Sequence, residues 1–485
     1  MTANGESEHL KLSFGLITSG LKYLTAEKFA YKVSASGTSL KTKQIWHLEQ
    51  SPEGNVVYFK SWLGKYLASD RNGIITCDDA EPGEENGFLV EATVETGRWA
   101  IKSAKHKTFF GIKDGEPNGF CPSIDSSTLW TVHLAMHPQI NLWNGRRKRY
   151  AILEDNEVRM NKPIPWGPNA LITLVFADES YALMLPNGTY LACDGSLQPK
   201  LSNETAYTIE FYDGKIAFKS KANKKYLTHI GPKGVLQTRK DTPTTDEHFS
   251  FVDAHPQISL KSTKKDKYVS GKQGLQLSAN QIEADETEIF QLEMEKGSDK
   301  VWLQNDRNKY WRVAGNAIQA DGASACAEGS DFNLTWNGRK LQLGTNNGKH
   351  VSVALSGHLQ VGPQAEEFVW SLTNRPIIVF RGSQGFIGVK GEKLEGNRSK
   401  YDLFYLEYMD GAYAIRAPSG KYWTVRDDKV VMASSDTKQP FLIQLQPSSK
   451  LAIKPETGGD YITSDHVGIM KASVATIGPD CLWEY

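Results

Sequence analysis

The stretch Leu63-Gly64-Lys65-Tyr66-Leu67-Ala68 constrains this chain most, because close copies of it recur along nearly the whole length. Following its aromatic position gives Tyr23, Tyr66, Phe109, Tyr150, Tyr190, Tyr226, Tyr268, Tyr310, His350, Phe386, Tyr422 and Tyr461, in steps of 36 to 43 residues. A second marker runs in phase with the first, an aromatic usually followed two residues later by an aliphatic, as in Trp46 and Leu48 or Phe290 and Leu292. Its other members include Phe88, Trp130, Tyr207, Phe249, Phe332, Phe368, Phe404, Phe441 and Trp483, with Ile172 in the weakest copy. Twelve copies of a unit this small predict a repeat architecture, in which neighbouring units close around a shared core.

A longer period lies over the short one. Met136-His137-Pro138-Gln139-Ile140 returns as Ala254-His255-Pro256-Gln257-Ile258 and, more loosely, as Asn374-Arg375-Pro376-Ile377-Ile378, with the prolines 118 and 120 residues apart. Three short units per long unit predict four lobes, 1–136, 137–254, 255–374 and 375–485. The 485 residues exceed what one hydrophobic core supports, and the long period matches the common domain size. Almost no Ser/Gly-rich spacer surrounds the prolines, so the lobes are expected to pack rigidly against one another.

Inside a unit the pattern is strand-like. Phe404, Leu406 and Tyr408 alternate, Asp410-Gly411 turns the chain, and Tyr413 and Ile415 alternate again, which reads as a β-hairpin. The same turn signal occurs at Asp213-Gly214 and Asn337-Gly338. No helical periodicity persists beyond two turns, so the chain is all-β with about four short strands per unit. Both β-propeller blades and β-trefoils use such units. Twelve blades exceed the usual propeller, and a propeller gives no reason for a marker at every third unit. Four tandem β-trefoils explain both periods.

Composition excludes several classes. No run of 18 or more apolar residues occurs, and the N-terminus has neither a basic nor an apolar signal region, so a cytoplasmic protein without membrane insertion is expected, with disorder confined to residues 1–9. Five cysteines, Cys77, Cys121, Cys193, Cys326 and Cys481, lack metal or redox spacing and read as reduced, mostly buried thiols. A formal charge of zero provides no global field toward nucleic acid or any acidic partner, so such binding must come from local patches. No nucleotide-loop, zinc-protease or nucleophile-elbow pattern occurs, and neither enzyme activity nor a cofactor is expected.

The runs Lys22-Tyr23-Leu24-Thr25-Ala26-Glu27, Gln44-Ile45-Trp46, Asn374 through Gly382, Gly385-Phe386-Ile387-Gly388 and Leu482-Trp483-Glu484-Tyr485 resemble, over the whole chain, the fascins, actin-bundling proteins of four tandem β-trefoils. The resemblance implies a monomer in the cytoplasm and in protrusions such as filopodia, where it would cross-link F-actin into tight parallel bundles. A monomer can do so only through at least two actin-binding surfaces, and basic loops are where an acidic filament would be met.

The first such loop is 36–43, where Ser39, Lys41 and Lys43 match a fascin actin-binding motif; the matching serine in the family is a phosphorylation target, which implies a regulatory kinase at Ser39. Composition alone would read this stretch as an exposed, solvated turn that contributes little to the core. The second is Arg146-Arg147-Lys148-Arg149, four adjacent cations that a purely structural turn disfavours; Arg147, Lys148 and Arg149 are the expected contacts. In the last lobe, Arg398 and Lys471 resemble family positions lining a cleft between the first and last lobes. Two departures from the vertebrate pattern, Ser383-Gln384 before Gly385 and Thr463 in place of a lysine, imply a first site of different strength. Lysines at 215–225 and 261–267, with Arg239-Lys240, also make lobe two and the start of lobe three locally basic, and exposed strand faces protected against edge aggregation account for them better. The alternative function is carbohydrate binding, since Gln44-Ile45-Trp46 matches the Gln-x-Trp signature of lectin trefoils, although it occurs once.

Overall fold

The structure is a computed structural model describing residues 12–485 apart from 53, 94, 95, 213, 214 and 273. The segment 1–9 and the Asp213-Gly214 turn lie outside the described residues. Among those described, helix is confined to three-residue 3-10 turns, and the strands fall into successive sheets. Three sheets of twelve strands and one of eleven, with a separate two-stranded hairpin in the last lobe, follow one another along the chain. In the first three sheets the first strand pairs antiparallel with the last, as in Phe14 with Leu134, Leu142 with Phe251 and Leu260 with Trp370. In the fourth, Arg381 near the start pairs with Glu484 near the end. Such pairing closes the body of each sheet on itself. The chain is four β-trefoil lobes in tandem.

In several units a side chain links the two sequence markers: a carboxylate or amide three residues after the aromatic marker accepts the hydroxyl of the next tyrosine marker. Tyr66 donates to Glu49 (2.7 Å), Tyr226 to Glu210 (2.6 Å), Tyr422 to Glu407 (2.9 Å) and Tyr461 to Gln444 (2.9 Å). The aromatic markers themselves, such as Trp46, Trp130, Phe290 and Phe404, are fully buried in their lobes. The Asp410-Gly411 turn forms as expected, with both residues at positive φ (52° and 82°) and Met409 paired with Ala412. At Asn337-Gly338 the hairpin also forms, but Asn337 pairs with Lys340, so the two loop residues are Gly338 and Arg339.

The Glu407 cluster makes an acid-sensitive joint. Burial would raise its pKa, yet hydrogen bonds from Arg416 (2.8 Å), Lys438 (2.9 Å) and Tyr422 hold it at about 2. A carboxylate depressed in the folded state contributes stability above its unfolded pKa, near 4.5, and that contribution is lost as pH falls toward 2. Glu407→Gln is therefore expected to lose melting temperature less steeply than the parent between those two pH values. Parallel pH profiles would contradict the assignment.

Each junction proline serves the sheet through its carbonyl. Pro138, Pro256 and Pro376 accept the backbone N–H of Leu174 (2.8 Å), Leu292 (2.8 Å) and Leu406 (3.1 Å), the residue two after the marker in each case. The lobes then pack in pairs. One continuous apolar cluster runs through the first two lobes, including Phe14, Trp99, Tyr181 and Phe249, and another through the last two, including Phe290, Trp370, Tyr413 and Trp483. Both pairings use the same device, a buried tyrosine hydroxyl accepting a strand-end N–H from the preceding lobe: Tyr181 from Leu134 (2.7 Å) and Tyr413 from Leu372 (2.6 Å).

The seam between the pairs is polar and is built by the repeated His-Pro-Gln-Ile motif. Gln139 donates to Ile377 O (2.9 Å) and accepts from Val379 N–H (3.0 Å); Gln257 donates to Pro165 O (2.7 Å) and accepts from Gly167 N–H (2.7 Å). Both amides are buried, and each bonds another lobe's backbone as both donor and acceptor. The five cysteines are all free, but burial holds only for Cys77 and Cys481. Cys121 and Cys193 are half-buried and Cys326, on the 323–331 connection, is exposed.

Candidate functional site

A cleft of about 710 Å³ opens where the first, second and fourth lobes meet. It is lined by the loop 38–42 and His133 from the first lobe, by 174–179 from the second, and by Arg381 to Phe386, Arg398 to Leu403 and Tyr405 from the fourth. Ser39 and Lys41 of the first lobe and Arg398 of the fourth, distant in sequence, therefore face one space.

The loop bearing Ser39 is anchored, which differs from a freely solvated turn. Gln44, 8% exposed, accepts the Lys41 N–H (3.2 Å) and donates to Thr25 Oγ1 (3.1 Å), while the Leu40 side chain lies directly over Gly15, where an added Cβ would meet its methyl at 2.6 Å. Ser39 is consequently half-buried at the cleft wall, with Thr38 and Lys41 to Lys43 exposed around it. Trp46 is fully buried and its indole N–H donates to Leu24 O (3.1 Å). Gln-x-Trp is thus a packing and capping motif in this chain. Its polar position recurs: Asn86, Thr128, Thr205, Glu247 and Glu288, each two residues before its marker, accept the N–H of Gly83, Asp125, Ser202, Thr244 and Asp285 at 2.6 to 3.0 Å. Lining up the markers would have revealed these caps.

The floor of the cleft is neutral. His133 stacks on Phe176 (4.0 Å between centroids) and its Nδ1 meets the Tyr23 hydroxyl at 2.9 Å; burial lowers its pKa to about 4. Charge sits at the walls, where Lys41, Arg381, Arg398 and Lys400 face Asp178, Glu179 and Asp402. The acids are largely occupied. Glu179 binds Arg98 and Thr131, and Asp402 accepts the Val389 N–H (2.6 Å). Arg398 is shared with Glu395 (2.9 Å), and Arg381 donates to Ala135 O (3.2 Å) across lobes. Arg381 and Lys400 escaped the sequence reading because no cluster of adjacent charges marks them.

The other sequence candidates lie elsewhere. Lys43 does not line the cleft and pairs with Glu27 at 2.8 Å. Lys471 is also outside it, exposed on the strand Met470–Val474 of the two-stranded hairpin and paired across with Thr463. Arg147, Lys148 and Arg149 stand at and after a turn of the second lobe, between the strands Gln139–Asn144 and Arg149–Glu154. Lys148 is exposed, Arg149 is half-buried with a guanidinium bond to Lys148 O (2.8 Å), and Arg147 folds inward. Arg146, exposed over 71% of its side chain, has a long contact to Asp246 (3.9 Å). Of the further lysines, Lys219 is buried against Glu210 and Lys264 pairs with the buried Glu366, so these two serve the fold.

The Fascin domain family model matches residues 21–132, 140–251, 264–366 and 388–485. Over essentially the full length of both chains, this sequence is 37% identical to Fascin-2 of Bos taurus and 35% identical to Fascin-2 of Homo sapiens. It is 33% identical to Fascin of Strongylocentrotus purpuratus, with 98% of this chain and 99% of that one covered. Among the described residues no helix is long and apolar enough to cross a membrane.

Proposed function

This chain belongs to the fascin family, and from that premise we propose that it is a monomeric cross-linker packing actin filaments into tight parallel bundles in cytoplasmic protrusions such as filopodia. Its lobes, taken as 1–136, 137–254, 255–374 and 375–485, act as a spacer with filament contacts at two places. One is the cleft with Ser39, Lys41 and Arg398 and the neighbouring Lys43; the other is the basic turn with Arg147, Lys148 and Arg149, and Lys471 adds a cation on the last lobe. The observation that carries this reading is the presence of two separate cationic surfaces on a chain of zero net charge. An acidic filament would be attracted to such surfaces locally, and screening over about 8 Å at physiological salt would weaken the contact. Low-speed co-sedimentation with purified actin tests it directly: bundles should pellet at low salt and decline as salt rises, and an unchanged supernatant would refute the reading.

Ser39 offers a switch on the first surface. A phosphate there adds about −1.5 to −2 charge near neutral pH, beside Lys41 and at the wall that Arg398 shares. Ser39→Asp is expected to lower bundling while nearly preserving the melting temperature, since Leu40 and Gln44 hold the loop. Ser39→Ala should bundle like the parent. Undiminished bundling by stoichiometrically phosphorylated protein would sink the switch.

A further inference from the structure

The four cations of the basic turn have different surroundings. Asn144 is fully buried and fixes the turn, its side-chain oxygen accepting the Arg147 N–H (2.8 Å) and its carbonyl the Lys148 N–H (2.8 Å). From there the Arg147 guanidinium runs back into the lobe. It donates to Met160 O (2.6 Å), to Gly231 O (3.4 Å) and to Pro232 O, the last two belonging to the turn 231–234. It fits only because residue 234 is glycine, at φ 68°: a Cβ there would stand 2.7 Å from Arg147 Nε. The charge of Arg147 is thus committed to carbonyls, and its fork ties two surface turns together.

The second turn carries Lys233, which is exposed, and the Lys215 ammonium lies 3.9 Å from the Cβ position of Gly145 on the first turn. Among the described residues, none of Lys148, Lys215 and Lys233 has a carboxylate at ion-pair distance, and Asp246 near Arg146 is the single acid paired to this group. Cations left unneutralised on one face of a neutral protein constitute a local field that an acidic surface would complete.

We propose that the second filament-binding surface is a composite of both turns, with Arg146, Lys148, Lys215 and Lys233 as its contacts and Arg147 as the positioning residue that holds the turns in register. The proposal rests on the reading of this region as a filament contact and redistributes its roles. A planar fork bound to three carbonyls is not replaced by an ammonium, so Arg147→Lys keeps the charge and loses the clamp.

Four proteins decide it in low-speed actin co-sedimentation, with melting temperatures measured alongside: the parent, Lys233→Glu, Arg146→Glu with Lys148→Glu, and Arg147→Lys. Lys233→Glu is expected to raise the protein concentration needed for half-maximal bundling by roughly 3- to 10-fold, as loss of a rim charge does, with an unchanged melting temperature. Arg147→Lys should lower both bundling and the melting temperature. If the Arg146/Lys148 variant fails to bundle while Lys233→Glu matches the parent, the composite surface is wrong and the single-turn contact stands. If both charge reversals match the parent, this region is not a filament contact at all. A melting temperature unmoved by Arg147→Lys would overturn the clamp.

Discussion

Gln139→Leu is expected to lower the unfolding free energy by about 2–4 kcal/mol. Leucine fills nearly the same space, so the cavity left is small. What remains is a buried Val379 N–H and a buried Ile377 carbonyl with their partner gone, each costing about 1–3 kcal/mol in desolvation that nothing repays. Because these bonds join the second lobe to the fourth, the damage falls on the seam between the lobe pairs, whose separate apolar clusters stay intact. Calorimetry should therefore show a lower and broader transition, with the two pairs beginning to unfold apart. Ile377→Val is the control: it sits in the third copy of the junction motif, trims one methylene from a buried side chain, and should cost about 1 kcal/mol. A Gln139→Leu loss no larger than that control would show that the seam does not depend on the amide.

The largest functional effect is expected from reversing charge on the cleft, with Lys41→Glu and Arg398→Glu combined. These side chains reach one space from the first and last lobes, above a floor made neutral by the buried His133. Two reversals change the local charge by four units where Glu179 and Asp402 are already occupied by Arg98, Thr131 and backbone, so attraction toward an acidic filament becomes repulsion. Bundling should fall by at least about tenfold at physiological salt. Stability should change little, since Lys41 is exposed and Arg398 gives up only a half-exposed pair with Glu395, the kind worth about 0–1 kcal/mol. Normal bundling would remove the cleft from the filament-binding surface; a large drop in melting temperature would mean the variant reports on folding instead.

Much of this architecture was legible because it is periodic. The aromatic and Lys-Tyr markers repeat every 35 to 43 residues, and together with the proline motif at every third unit they lead to closed three-unit lobes. The recurrence of His-Pro-Gln-Ile was equally visible, but its purpose was not, because the partners of Gln139 stand 238 and 240 residues away and leave no local signal. Charge density was readable at Arg146 to Arg149, whereas the inward turn of Arg147 depends on carbonyls at Gly231 and Pro232 and on a missing Cβ at Gly234. Gln44 shows the converse problem. Its Gln-x-Trp context suggests sugar binding when read as a local motif, and only its alignment with Asn86, Thr128 and the other caps identifies it as part of the fold. Arg381 and Lys400 gain their place in the cleft from the docking of the fourth lobe against the first two, through bonds such as Tyr401 to Leu174 O (2.9 Å), which no stretch of sequence encodes by itself.

One molecule is expected to hold two filaments through two independent surfaces, and co-sedimentation at two speeds separates binding from bundling. A cleft variant carrying Lys41→Glu and Arg398→Glu, and a turn variant carrying Arg146→Glu and Lys148→Glu, should each still pellet with filaments at high speed while failing to bring them down at low speed. The variant combining all four changes should lose high-speed binding as well. Retained bundling in both single-surface variants, or complete loss of binding in either one, would show that the molecule does not hold filaments through two independent surfaces.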